Sequence, residues 1–107
     1  MNFNEYQEMA KSTAIYDNQH KILYPALGLA GEAGEVANKV KKLIRDGYEE
    51  NKDYRQTVAS EIGDVLWYCA VLASDIGYEL SDIAFSNTVK LQDRMNRGVI
   101  GGNGDTR

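Results

Sequence analysis

Residues 60–73, SEIGDVLWYCAVLA, set the tightest limit on how this 107-residue chain can fold. At helical spacing the segment is apolar on almost every side. Val58, Ile62, Val65 and Cys69 fill one arc, Leu66 and Ala73 widen it, and Trp67, Tyr68 and Val71 cover much of the remainder. A helix of this kind has to be surrounded by other helices. It nevertheless carries two carboxylates three residues apart, Glu61 and Asp64. An ionised carboxylate is costly to bury without a cation or hydrogen-bond donors beside it. The sequence therefore calls for either a lysine or arginine from a neighbouring helix or a divalent metal held by oxygen ligands.

The rest of the chain supplies three more helices and no strand pattern. The first is expected from about Asn4, as N-cap, to about Tyr16, with Phe3, Tyr6, Met9 and Thr13 along one side. After the polar loop 17–21, Pro25 suits the first turn of a second helix that runs to Ile44 and stops at Asp46-Gly47. Its expected core stripe is Leu23, Ala26, Leu27, Ala30, Ala37, Val40 and Ile44. The third helix begins near Asn51 to Asp53 and ends at Asp75 or Ile76, before Gly77. The fourth opens at Ser81, with Leu80 and Phe85 spaced as a hydrophobic staple, and ends at Gly98. A glycine-rich tail without periodicity, VIGGNGDTR, follows. The expectation is one all-α domain over residues 1–107, bundle-like, with four antiparallel helices. So short a chain has too few helices to cover its third, which predicts association with other copies.

The second helix carries a matching acidic pair, Glu32 and Glu35, in GLAGEAGEVANKVKK. Both lie on one side of the helix, with Lys39 and Lys42 on the same face. A solvated face with a Glu35–Lys39 pair is one reading, but it does not account for Gly28, Gly31 and Gly34. Each glycine costs ~1 kcal/mol against alanine in a helix interior. Gly28 and Gly31 flank the carboxylates and are expected to admit metal and phosphate to the backbone, whereas Gly34 is expected to allow tight helix packing. Four carboxylates at this spacing on two helices suit a hard cation, Mg²⁺ or Mn²⁺. The only histidine, His20, stands in a loop, which argues against a Glu-x-x-His di-iron centre and against a serine or cysteine nucleophile activated by histidine.

Other features mainly exclude. The net charge of −4 disfavours a broad nucleic-acid-binding face. No apolar run is long enough to span a membrane and the N-terminus lacks a signal-peptide core, so a cytoplasmic location is expected. Cys69, the single cysteine, lies within the apolar run as a small hydrophobe.

Glu32-x-x-Glu35, twenty-five intervening residues, and then Glu61-x-x-Asp64 resemble the EXXE…EXXD signature of the all-α nucleoside triphosphate pyrophosphohydrolases, and within them the MazG-like group. GLAGEAGEV, EIGDVLWY and the ending NTVKLQDRMNRGVIGGNGDTR extend the resemblance over nearly the whole chain. It implies Mg²⁺-dependent hydrolysis of nucleoside or deoxynucleoside triphosphates to the monophosphate and pyrophosphate. In that reading Glu32, Glu35, Glu61 and Asp64 are the metal ligands, and the assembly is a homodimer or a dimer of dimers. Many relatives have a second glutamate directly before the first motif glutamate, where this chain has Gly31. Glu35 is then the candidate general base, the alternative being a water acidified by the metal itself. On the fourth helix Asn87, Lys90, Arg94 and Arg97 form a stripe that matches the family's basic helix and is expected to contact substrate phosphates, as is Lys39. A solvated basic face is the alternative for that stripe. Asp105 and Arg107 are expected to fold over bound nucleotide. Two further functions remain open at this level: a phosphoribosyl-ATP pyrophosphohydrolase, and a non-catalytic helical module that binds metal and oligomerises.

Overall fold

The computed structural model describes residues 1–107 and contains helices and no strands. Helix α1 spans Phe3–Ser12, a 3₁₀ turn spans Asn18–His20, and α2, α3 and α4 span Leu23–Asp46, Tyr54–Asp75 and Leu80–Asn96. Glycines with positive φ end three of the helices: Gly47 (90°), Gly77 (80°) and Gly98 (74°). Helix α1 starts earlier than expected because Asn2, not Asn4, caps it, its Oδ1 accepting from the Glu5 N–H at 2.8 Å. It ends at Ser12 rather than near Tyr16. Thr13 Oγ1 donates to the Ala10 carbonyl at 2.9 Å and accepts from Trp67 Nε1 at 2.8 Å, which ties the end of α1 to α3.

Helix α3 is central: α1, α2 and α4 all pack on it, and α1 also meets α4. Helices α2 and α3 form a long antiparallel hairpin, with Gly28 against Tyr68 near one end and Leu43 beside Tyr54 at the other. The buried cluster Ala10, Ala70, Val71 and Leu80 lies around the C-terminal half of α3. Gln7 is buried within it and organises three helices. Its Nε2 donates to Ala70 O, Ser74 Oγ and Tyr78 O at 2.9–3.3 Å, and its Oε1 accepts from Leu80 N–H, capping α4. Leu80 is buried while Phe85 is 69% exposed, so the expected staple does not form.

The face of α2 that meets α3 differs from the expected core stripe. Pro25 and Leu43 are buried, and Gly28, Leu29, Glu32, Val36, Lys39 and Val40 are half-buried. Leu23, Ala30 and Ala37 are exposed, as are Leu27 (65%) and Ile44 (75%). Small residues lie on both sides of α2, and Gly28 decides between them: a Cβ there would overlap the Tyr68 ring, so the glycine notch seats that ring and brings the acidic face inward.

The result is an open molecule. Only 9 of 107 residues are buried, and the Cα radius of gyration is 16.7 Å where a compact chain of this length has about 13 Å. The accessible surface of 7764 Å² exceeds by about 1,800 Å² the roughly 5,950 Å² expected of a compact monomer of this mass. Helix α2 packs on α3 without closing a four-helix bundle with α4. No helix is long and apolar enough to cross a membrane.

Candidate metal and phosphate site

Helical spacing on two antiparallel helices brings three of the four motif carboxylates together. Oxygen atoms of Glu32 on α2 and of Glu61 and Asp64 on α3 all lie within 4.8 Å of one another. Glu32 and Glu61 are half-buried and Asp64 is exposed. Glu35, one turn further along α2, is exposed and stands outside this group. None of the ion pairs in the protein involves any of the four, and the Glu35–Lys39 pair does not form.

Electrostatics of the trio follow from its geometry. Partial desolvation first, then the charges of Asp64 and Glu61, a hydrogen bond with Glu61 and the charge of Glu35, push the Glu32 carboxyl above its ordinary value. The aromatic neighbours show the same negative field. Tyr68 is raised chiefly by desolvation and its contact with Tyr24, with smaller contributions from Glu32 and Asp64. An all-oxygen, cation-free cluster whose members repel one another fits a hard divalent cation better than a structural ion pair.

The glycines do not divide as their spacing suggested. Gly28 is the packing residue, lying under Tyr68, whereas Gly31 and Gly34 face open space. Tyr68 belongs to an aromatic column: Tyr16 stacks on Tyr24 at 4.8 Å, Tyr24 lies 6.4 Å from Tyr68, and Trp67 meets Tyr68 edge-on at 5.0 Å. Asp75 anchors its far end, accepting from Tyr16 Oη at 2.7 Å and from the Ile22 N–H at 2.9 Å. The second bond braces Ile22, whose positive φ (70°) just before α2 belongs to a tight turn closed by the Leu23 N–H on the Lys21 carbonyl at 2.8 Å. The sequence carries no signal for this anchor, because Asp75 stands at a helix end where an acidic residue has many uses.

The basic stripe of α4 is engaged by the chain's own tail. Arg94 is 5% exposed and its Nη2 donates to both the backbone carbonyl and the carboxylate of Asp105. Lys90 Nζ reaches the same carboxylate at 2.9 Å, and these two cations hold Asp105 below the usual carboxylate range. Arg97 pairs with Asp93 and donates to the Arg107 carbonyl. Arg107 donates to the carbonyls of Val99, Ile100 and Gly104, closing the tail on itself. Asn87 is exposed and lines an open cavity of about 350 Å³ with Lys90, Tyr78 and Asp82. Helix α4 rests on α1 and α3 rather than on α2. Lys39 lies on α2 in the groove shared with α3, and His20 is exposed in the 3₁₀ turn.

Comparison with known proteins places the chain in a family. "Gene 37 protein" of Mycobacterium phage L5 is 45% identical over the full length of both chains, and its name says nothing of an activity. No solved structure matches. The family model described as the MazG nucleotide pyrophosphohydrolase domain matches residues 19–99, a span that takes in both acidic pairs and the whole of α4, and on that match the chain belongs to the MazG nucleotide pyrophosphohydrolase family.

Proposed function

We propose that the protein hydrolyses nucleoside or deoxynucleoside triphosphates to the monophosphate and pyrophosphate with Mg²⁺, Mn²⁺ being the alternative ion. The observation that carries this reading is the cation-free trio Glu32, Glu61 and Asp64, with ligand atoms within 4.8 Å, at the α2–α3 interface of a MazG family chain. Those three carboxylates would hold the ion, with Glu35 completing the acidic set. The ion supplies positive charge that lets a polyanionic substrate approach an acidic site and that polarises the phosphate oxygens. Glu35 is exposed and has no cation partner, which supports it as the group that takes a proton from the attacking water. Lys39, four residues on, would meet the outer phosphates. Asn87 and Arg97 would act on phosphate beside Lys90 and Arg94, the last two only after Asp105 yields its place, since that carboxylate now occupies them. Control of a nucleotide pool, by removal of damaged triphosphates, is the role this chemistry suits.

A second copy of the chain completes the molecule in this reading. The excess surface of about 1,800 Å² per chain matches what each partner buries in an obligate homodimer, for which totals run to roughly 2,000–5,000 Å². The exposed apolar side of α2, with Leu27 and Ile44, is the surface to be covered. The test of the activity is pyrophosphate release from a panel of canonical and modified triphosphates, with Mg²⁺ and with EDTA. Release that needs Mg²⁺ and is lost in Asp64→Asn supports the reading. No release from any triphosphate, with Mg²⁺ bound, would leave the helical metal-binding module.

A further inference from the structure

At the far end of the α2–α3 hairpin lies a cavity of about 220 Å³ whose walls include Lys39, Lys42, Asn51, Asp53 and Thr57. It is smaller than the roughly 300–1,000 Å³ of cavities that enclose whole organic ligands, and its size suits a small anion. Its electrostatics suit one as well. Neither lysine takes part in an ion pair. The N-terminus of the 22-residue α3 opens into the cavity at Tyr54, and no side chain caps it. In its first turn the N–H groups of Tyr54, Gln56 and Thr57 find acceptors within the chain, whereas that of Arg55 has none. Two ammonium groups and a helix N-terminus worth about half a positive charge outweigh the one carboxylate present, Asp53. Asn51 shapes the turn, its Nδ2 donating to the Gly47 carbonyl at 3.0 Å.

The cavity lies along the same α2–α3 hairpin as the acidic trio. Thr57 stands one turn before Glu61 on α3, and Lys39 one turn after Glu35 on α2, so about 6 Å of helix rise separates each pair. An extended triphosphate whose reacting phosphorus is at the trio can reach this end of the hairpin with its terminal phosphates. On α4, by contrast, Lys90 and Arg94 are already paired with Asp105, and Arg97 with Asp93. We propose that the pocket formed by Lys39, Lys42 and the N-terminus of α3 is an anion seat for a diphosphate group: the terminal phosphates of the substrate and then the pyrophosphate released. This assignment rests on the hydrolytic reading above, but its first test needs neither metal nor turnover.

Inorganic pyrophosphate is titrated into the protein in EDTA, by calorimetry and by amide chemical-shift mapping. The expected result is saturable binding that shifts the amides of Arg55 and Thr57. The double variant Lys39→Ala/Lys42→Ala should bind about tenfold or more weakly while keeping its circular dichroism, and Lys11→Ala, which removes a lysine of α1 paired only with Glu8, should bind as the wild type does. With Mg²⁺, Lys42→Ala should raise the KM for triphosphate more than it lowers kcat. Unchanged affinity in the double variant, or loss of binding in Lys11→Ala instead, would overturn the seat even in an active enzyme. Pyrophosphate binding at these residues in a protein that hydrolyses no triphosphate would uphold the seat and remove the hydrolytic reading.

Discussion

Glycine 28 makes the plainest single-residue prediction. Its missing Cβ is the space that the Tyr68 ring occupies, so Gly28→Ala forces ring or helix apart beside the acidic trio. Overpacking of this kind costs about 1–3 kcal/mol, whereas Gly31→Ala and Gly34→Ala, facing open space within a helix, should each stabilise by up to ~1 kcal/mol. Thermal denaturation of the three variants checks the order, and a neutral Gly28→Ala would contradict the packing. Glu32 makes a pH prediction. Its carboxyl is raised above the ordinary 4.5 in the metal-free fold, so the folded state binds more protons than the unfolded state just above that pH. Its contribution to stability is therefore present below the unfolded pKa and lost as pH rises through the folded one. Melting in EDTA from pH 4 upward should show Glu32→Gln losing less stability than the wild type over that interval; equal slopes would contradict the coupling. At this scale much was legible. Four carboxylates at i, i+3 spacing were visible as pairs, but the separation of Glu35 from the other three was not, because spacing along α2 does not say how α3 is rotated against it.

At the scale of elements, the helices followed from their punctuation: Pro25 near the start of α2, and Gly47, Gly77 and Gly98 in left-handed conformations after the ends of α2, α3 and α4. Which side of α2 meets α3 did not follow, since Ala30 and Ala37 on one side are no smaller a lining than Gly28 and Val36 on the other. Gln7 was also illegible as a buried residue. Its burial comes from four hydrogen bonds to α3, to the turn at Tyr78 and to α4, and no apolar periodicity announces them. Gln7→Ala removes the acceptor for the Leu80 N–H and the donor for Ala70 and Tyr78, leaving buried polar groups unpaired. The expected cost is about 1–3 kcal/mol, read by chemical denaturation, with exchange protection at Leu80 lost first. A variant as stable as the wild type would show that this buried network contributes little. The tail had no periodicity to read, and its attachment comes from side chains reaching backbone carbonyls.

For the whole molecule, the proposed second copy would cover the open face and the unpartnered α2 stripe. Light scattering at micromolar concentration should give twice the chain mass or a multiple of it, and a monomer with unchanged helicity would contradict this. The central claim, that Glu32, Glu61 and Asp64 hold a metal rather than a structural cation, makes opposite predictions for one substitution. Without metal the three carboxylates repel, so Glu61→Gln should melt at or above the wild-type temperature in EDTA. Were Glu61 the partner of a buried lysine or arginine, the same change would strand that cation and cost about 3–5 kcal/mol. The decisive measurement is differential scanning calorimetry of wild type and Glu61→Gln, each with EDTA and with Mg²⁺. The account predicts that Mg²⁺ raises the melting temperature of the wild type and leaves that of Glu61→Gln, already as stable in EDTA, nearly unmoved. A steep loss of stability in EDTA, or an undiminished Mg²⁺ response in the variant, would contradict it.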